Sequence, residues 1–219
     1  MDVSPVVLDV ETVGLANAAD YLEPVVPDGR FTDPVKIALD IDKKERERLE
    51  KLSLDWNVGR VAILGFWTME HGYVVTECRT ELQELAAIAN FWDVAKHRTI
   101  VGFNAVLFDL RFLIQRSRFL AVDYPQLSLS KYGHRGIVDL YLELTFNDGY
   151  TDQGCMRRSL KAFCRRFDIP CEDKVEGKDI PKLIAAGDWA AAAAHCEADL
   201  MATVQLAQRL KWVHDEVPV

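Results

Sequence analysis

Four acidic residues stand at the edges of apolar segments that lie far apart in the chain. They are Asp9, Glu11, Asp109 and Asp199. An ionised carboxylate beside an apolar core costs free energy unless it is paired or bound to a metal. Acids at a strand end, at a helix start and inside a late helix therefore predict one site assembled from distant segments. Oxygen ligands are typical of Mg²⁺ or Mn²⁺ sites, and such ions commonly act on phosphate.

The spacing within two of these segments places side chains on a common face. Asp9 and Glu11 are two residues apart in VVLDVE, and alternate residues of a strand point to the same side. His195 and Asp199 are four residues apart in a predicted helix, so they share one face. Asp109 stands at a predicted helix start, where the helix dipole favours negative charge. Each pattern alone also fits an ordinary surface pair or a helix-start acid.

The order of the predicted elements indicates an α/β fold. Apolar β-rich runs predict strands at 3–11, 58–68, 72–79 and 99–105. Helical periodicity predicts helices at 80–97, 108–120 and 136–144, and in segments that begin near 159, 178 and 189. This order fits a mixed β-sheet flanked by helices, in a single domain that covers residues 1–219.

Residues 15–57 differ from the rest of the chain. They are polar and contain prolines, and a run of alternating charge at 42–51 predicts a short exposed helix. We interpret this segment as an insertion between the first and second strands.

The charge of the chain is unevenly distributed. The formal net charge is −8, but residues 96–166 hold 12 Lys and Arg against 6 Asp and Glu. A basic middle inside an acidic protein is compatible with a phosphate-binding surface, and equally with solvated helix faces. We expect part of this region to follow the backbone of a nucleic-acid strand, through Arg157, Arg158 and Lys161.

The composition also predicts a compartment. No apolar run is long enough to span a bilayer, so no membrane partner is expected. The first residues lack the basic start of a secretory signal, and the five cysteines lack tight pair spacing, which indicates reduced thiols. We therefore expect a cytoplasmic protein.

Two of the acidic segments together resemble the DEDD superfamily of 3′–5′ exonucleases, which have a ribonuclease H-like fold. The first exonuclease motif, D-x-E after a hydrophobic strand, stands here as Asp9-Val-Glu11. The second, N-x-x-x-F-D, stands as Asn104-Ala-Val-Leu-Phe108-Asp109. The likeness extends over most of the chain outside the 15–57 segment. It is closest to stand-alone exonucleases related to the proofreading domains of DNA polymerases.

The third motif of this family is present with a departure. The family's tyrosine branch has Tyr four residues before the last aspartate, and its histidine branch has His five residues before it. Here His195 occupies the tyrosine spacing ahead of Asp199. Tyrosine, with a pKa of about 10, mainly orients the attacking water, whereas histidine, at about 6.5, can also accept its proton. The same spacing leaves open a misaligned histidine and a slow or inactive enzyme.

The resemblance implies a two-metal hydrolase that releases nucleoside 5′-monophosphates from a 3′ end. The metal ligands would be Asp9, Glu11, Asp109 and Asp199, holding two Mg²⁺ or Mn²⁺ ions about 4 Å apart. One ion with His195 would supply the attacking hydroxide, and the other would stabilise the leaving 3′ oxygen. Asn104 and Phe108 would contact the terminal nucleotide.

The expected substrate is single-stranded nucleic acid, with DNA favoured and RNA open. Two other functions stay open on the sequence. One is a nucleic-acid-binding module with a degenerate nuclease site, which the unusual position of His195 favours. The other is a ribonuclease H-like endonuclease, which would share the acids without the N-x-x-x-F-D motif.

Overall fold

A mixed five-stranded sheet forms the centre of the structure, a computed structural model that describes residues 4–130, 133, 135–146, 158–171 and 173–214. The strands are β1 (Val6–Gly14), β2 (Gly59–Thr68), β3 (Gly72–Glu77), β4 (Ile100–Gly102) and β5 (Ile137–Asp139). Their order in the sheet is β3-β2-β1-β4-β5. The pairings β1–β2 and β2–β3 are antiparallel, whereas β1–β4 and β4–β5 are parallel. The predicted mixed sheet is confirmed.

Helices cover both faces of this sheet. Those in the described part of the chain are α1 (Pro34–Glu50), α2 (Glu81–Ala95), α3 (Asp109–Phe119), α4 (Leu140–Leu144), α5 (Leu160–Arg166), α6 (Ile180–Ala185) and α7 (Trp189–Arg209). Alternate residues of β1 enter different cores, as the period of a strand requires. Leu8 and Val10 join the core formed with α2 and α3, and Val7 joins the core formed with α5 and α7.

A buried ion pair fixes α2 and α3 to β2. The side chain of Glu84 is fully buried, and Arg116 donates to its two oxygens from Nε and Nη2, each at 2.8 Å. The backbone N–H of Val61 donates to the same carboxylate at 2.8 Å. Loss of one member of such a pair leaves an uncompensated buried charge, at a cost of about 3–5 kcal/mol. The helix that begins at Asp109 is therefore held firmly against the sheet.

The helix predicted over 136–144 is wrong in its first part. Residues Ile137–Asp139 form β5, which pairs in parallel with β4, and only Leu140–Leu144 are helical. Two β-branched residues favour the strand, and Gly136, at a φ of 74°, provides the left-handed turn that leads into it. The short apolar run is compatible with both the helical and the strand period, and its pairing with β4 makes it a strand.

The segment between β1 and β2 is built around a surface helix. The helix α1 begins earlier than the predicted helix at 42–51, because Asp33 caps it by accepting from the Val35 N–H at 2.9 Å and Pro34 occupies its first turn. None of its residues is buried. Pairs one turn apart, such as Lys44 with Asp40 at 2.8 Å, cover its surface. Its status as an insertion stays a prediction.

The remaining strands and helices are confirmed with shifted ends. β4 stops at Gly102 because the chain turns at Asn104, which has a φ of 61°. The predicted cap of α5, Ser159, accepts a hydrogen bond from the Ala162 N–H, and Asp188 caps α7. No helix in the described ranges is both long and apolar enough to cross a membrane.

Candidate active site

A cleft of about 610 Å³ opens beside β1 and the end of β4. It brings together every residue predicted from the sequence as catalytic, although these residues come from three separate segments. The predicted residues among its walls are Asp9, Glu11, Asn104, Phe108, Asp109, Arg158, His195 and Asp199. The predicted residues from distant segments therefore line one cleft, as expected, while their chemical roles stay predictions.

A glycine allows α7 to come close to the strand that carries the first motif. Gly65 of β2 lies opposite Asp9 in the sheet. A Cβ atom at this glycine would lie 2.8 Å from Cys196 Sγ, so any larger residue would push α7 away. The same sulfur lies 3.8 Å from the carbonyl oxygen of Asp9. This close packing carries His195 and Asp199 to the edge of β1.

A structural carboxylate holds the turn that carries the second motif. Asp139 is buried, and its oxygens accept from the backbone N–H groups of Asn104 at 3.0 Å and Val106 at 2.9 Å. Its Oδ1 also caps α4. The turn leads into Asp109, whose Oδ1 accepts from the backbone N–H of Val10 at 3.0 Å. Asp139 therefore positions the site through the backbone.

The imidazole of His195 lies among carboxylates. It is 3% exposed, and its Nε2 lies 3.3 Å from Glu11 Oε1 and 3.8 Å from Asp199 Oδ2. Its Nδ1 is hydrogen-bonded to Asp173 Oδ2. An ionised carboxylate can only accept, so this contact places a proton on Nδ1. In the neutral imidazole, the free lone pair then belongs to Nε2, on the side of the cleft.

Sequence reasoning missed Asp173, because it lies in an irregular segment with no motif around it. Burial tends to raise its pKa, but the hydrogen bonds from His195 and from the Val175 N–H outweigh this and lower it. Lys161 fixes the segment by donating to the carbonyl oxygens of Asp173 at 3.0 Å and Val175 at 2.5 Å. The carboxylate that orients the histidine is thus held in place from α5.

The cleft carboxylates are poorly compensated by the protein. Burial raises the pKa values of Asp9 and Glu11 well above their ordinary range, and the charges of neighbouring carboxylates raise them further. Burial likewise raises the pKa of Asp109 to about 7 and raises that of Asp199. These shifts show that the negative charge of the ionised groups lacks a sufficient counter-charge within the described chain.

The donor set fits a hard divalent cation. Asp9 Oδ2 and Asp199 Oδ1 are buried and have no hydrogen-bond partner within the described ranges. Such oxygens are the ligands that Mg²⁺ and Mn²⁺ prefer. Ligand atoms of Asp173, His195 and Asp199 also lie within 4.8 Å of one another. Because Asp173 already accepts from the imidazole, we interpret this second group as a hydrogen-bonded cluster that shares Asp199 with the carboxylate set.

The residues predicted to bind substrate have different positions. Asn104 and the half-buried Phe108 line the cleft, and Arg158 is exposed at its rim. The amine of Lys161 is directed to the Asp173 segment. Arg157 lies outside the described residues. The roles of all five in binding stay predictions.

Two aromatic residues of the cleft were missed. Phe103 and Tyr141 line it, with their ring centroids 5.5 Å apart in an edge-on arrangement. Phe103 could have been found from the sequence, because it directly precedes the second motif. Tyr141 could not, because its place in the cleft depends on β5 being a strand that is followed by α4. Aromatic rings of this kind can pack against nucleotide bases.

Comparison with known proteins defines the family. The profile of the family described as RNase_H superfamily (RNase_H_2) matches residues 48–211. The chain therefore belongs to the ribonuclease H superfamily, whose nucleases depend on divalent metal ions. The match includes the second and third motifs and begins after β1, so Asp9 and Glu11 lie outside it. No curated protein matches the chain.

Solved structures show the same fold. Of 59 matching chains, one is the family B DNA polymerase from the hyperthermophilic archaeon Pyrobaculum calidifontis. It shares 18% identity with a TM-score of 0.61, and the alignment covers 96% of this chain and 25% of the polymerase. The chain thus spans a quarter of that protein's length, and at this identity the likeness shows the fold alone.

The raised pKa of Asp109 predicts a pH-dependent stability. Its value is about 7 in the folded chain, against about 3.9 when unfolded, so the folded state binds more protons between these values. Stability of the metal-free protein should fall as pH rises from about 4 to about 7. In EDTA at pH 8, we expect Asp109→Asn to be at least about 1 kcal/mol more stable than wild type, with little difference at pH 4.

Thermal unfolding across this pH range measures the effect. Mg²⁺ or Mn²⁺ should raise the melting temperature of wild type at pH 8 more than that of Asp109→Asn. Asp123→Asn, at an exposed position, serves as the control and should follow wild type. An Asp109→Asn protein that is less stable than wild type at pH 8 would contradict the interpretation.

Proposed function

We propose that the protein is a metal-dependent 3′–5′ exonuclease that acts on single-stranded nucleic acid, DNA in preference and RNA as the alternative. The observation that supports this most is the convergence of the three motif segments on one cleft, where two buried carboxylate oxygens have no hydrogen-bond partner among the described residues. The products would be nucleoside 5′-monophosphates. Membership of the ribonuclease H superfamily is consistent with this chemistry.

The carboxylates would hold the metal ions. The ligands would be Asp9, Glu11, Asp109 and Asp199, for two Mg²⁺ or Mn²⁺ ions. When bound, such ions lower the pKa of water and stabilise negative charge on a leaving oxygen. The four carboxylates would also fix the position of the scissile phosphate by fixing the ions. Their separation over three segments means that the correct fold is needed to form the site.

His195 would accept the proton of the attacking water through Nε2. Asp173 would keep the other proton on Nδ1 and hold the ring plane, as its hydrogen bond to Nδ1 indicates. The nearby Glu11, at 3.3 Å from Nε2, would stabilise the imidazolium that results. The histidine thus has a defined partner on each side, which supports an active role at the tyrosine spacing.

The walls of the cleft would contact the 3′ end of a single-stranded nucleic acid. Phe103, Phe108 and Tyr141 would pack against the terminal base or sugar, and Asn104 offers an amide for hydrogen bonding. Arg158 at the rim would contact a phosphate. A single strand can enter such a cleft without the cost of opening a duplex.

Digestion of a labelled single strand tests this function. With a 5′-fluorescein 20-nucleotide DNA and Mn²⁺, we expect a ladder that shortens from the 3′ end. Asp199→Asn should lower the rate at least about 100-fold, because it removes a ligand charge. Asp123→Asn should cleave as wild type does. Internal cuts would instead indicate an endonuclease, and binding without cleavage would indicate a degenerate binding module.

The contact between Asp173 and His195 predicts a selective effect on turnover. We expect Asp173→Asn to lower kcat about 10–100-fold with little change in KM, because the ring loses its orienting charge. Steady-state kinetics on a short oligonucleotide measure both constants. Glu176→Gln, an exposed change in the same segment, is the matched control.

A double variant separates positioning from structural damage. If Asp173 acts through the histidine, His195→Gln with Asp173→Asn should be no slower than His195→Gln alone. Additive losses would show that Asp173 acts by another route, and an unchanged kcat in Asp173→Asn would overturn the assignment.

A further inference from the structure

A second groove, of about 330 Å³, lies along the outer face of α3. One wall is formed by the α3 residues Arg111, Ile114, Gln115 and Arg118. The other is formed by Trp56 and by residues of the 124–129 segment, beginning with Tyr124. The groove is therefore cationic and aromatic, and it contains no acidic residue among its described walls.

Its two arginines are held by neutral groups. The guanidinium of Arg111 lies 5.3 Å from the centroid of the Trp56 ring, and its Nε donates to the Val106 carbonyl at 3.2 Å. The guanidinium of Arg118 lies 5.9 Å from the ring of Tyr124 and donates to its hydroxyl at 2.9 Å. Within the described ranges, no carboxylate lies in ion-pair distance of either arginine. Both positive charges are thus available to an anion.

Another arginine of the chain shows the contrast. Arg79 lies over the ring of Trp189 at 5.4 Å, a similar cation–π contact. Its guanidinium, however, is paired with the Glu77 carboxylate at 2.6 Å. The stacking alone therefore does not define the groove. What distinguishes Arg111 and Arg118 is that neither has an acidic partner in the part of the chain that the structure describes.

The groove lies close in the chain to the catalytic cleft, because Arg111 Nε donates to the carbonyl of Val106, the residue directly before the cleft residue Leu107. α3 begins at Asp109 in the cleft, and Arg111 follows two residues later. Leu107, four residues before Arg111, is itself a cleft residue. Arg111 and Arg118 are separated by seven residues, or about 10 Å along the helix axis. Both arginines therefore lie on one face of the helix whose first residue, Asp109, lines the cleft.

We propose that the groove binds the part of a single strand that lies 5′ of the terminal nucleotides, with phosphates at Arg111 and Arg118 and bases against Trp56 and Tyr124. The combination of unpaired cations and flat rings is the chemistry that single-stranded nucleic acid needs, because every base presents a stacking face. The inference rests on the proposed function for the direction of the strand. Its binding test does not require catalysis.

Fluorescence anisotropy with a 5′-fluorescein 12-nucleotide dT strand, in EDTA, tests the groove. Arg111→Gln with Arg118→Gln should weaken binding about ten-fold, and the slope of log K against log salt should fall by about 0.7 for each lost phosphate contact. Trp56→Leu should weaken binding without changing that slope. Arg79→Gln, which removes the same charge beside an aromatic ring, should bind as wild type does.

The length of the strand gives the second criterion. A dinucleotide bound in the cleft is too short to reach the groove. Its cleavage in Mn²⁺ should therefore be equal in wild type and in the Arg111→Gln Arg118→Gln variant. Equal 12-mer affinity and salt slope in these two proteins would overturn the groove assignment, as would a wild type that does not bind the 12-mer. If wild type binds the 12-mer through the groove but cleaves no substrate, the proposed exonuclease activity is wrong and the proposed binding groove stands.

Discussion

The central constraint on the structure is the concentration of negative charge beside β1, which other contacts must hold in place. Three carboxylates from two segments, Asp9, Glu11 and Asp109, meet a fourth on α7, and burial raises the pKa of each. Such an arrangement opposes folding unless other interactions hold the segments together. The buried pair of Glu84 with Arg116 and the close contact of α7 at Gly65 supply that hold. The fold thus holds together a group of acids whose mutual repulsion a bound cation would reduce.

Much of this could be predicted because local patterns and tertiary structure agree. The apolar β1, the helix caps and the motif spacings are each properties of a few neighbouring residues, and they predicted the mixed sheet correctly. The motif residues also converge on one cleft, as expected. Their function as ligands and catalysts stays a prediction, since placement in a cleft does not by itself show chemistry.

Other features depend on contacts that no local pattern contains. β5 was predicted as helix because its three residues become a strand only by pairing with β4. Asp173 has no motif, and it meets His195 from a segment 22 residues away. Lys161 was predicted as a substrate contact from its charge, and its contacts with the backbone carbonyls of Asp173 and Val175 could not be predicted from the sequence. Long-range contacts of this kind require the folded chain.

Anomalous diffraction from crystals of the protein grown with Mn²⁺ tests the metal site most directly. We expect anomalous density beside Asp9 Oδ2 and Asp199 Oδ1, which have no hydrogen-bond partner among the described residues. In Asp109→Asn, this density should disappear or be reduced to a single ion. Crystals that bind Mn²⁺ elsewhere, with the four carboxylates free of metal at saturating concentration, would contradict the assignment of this cleft as a metal-dependent nuclease site.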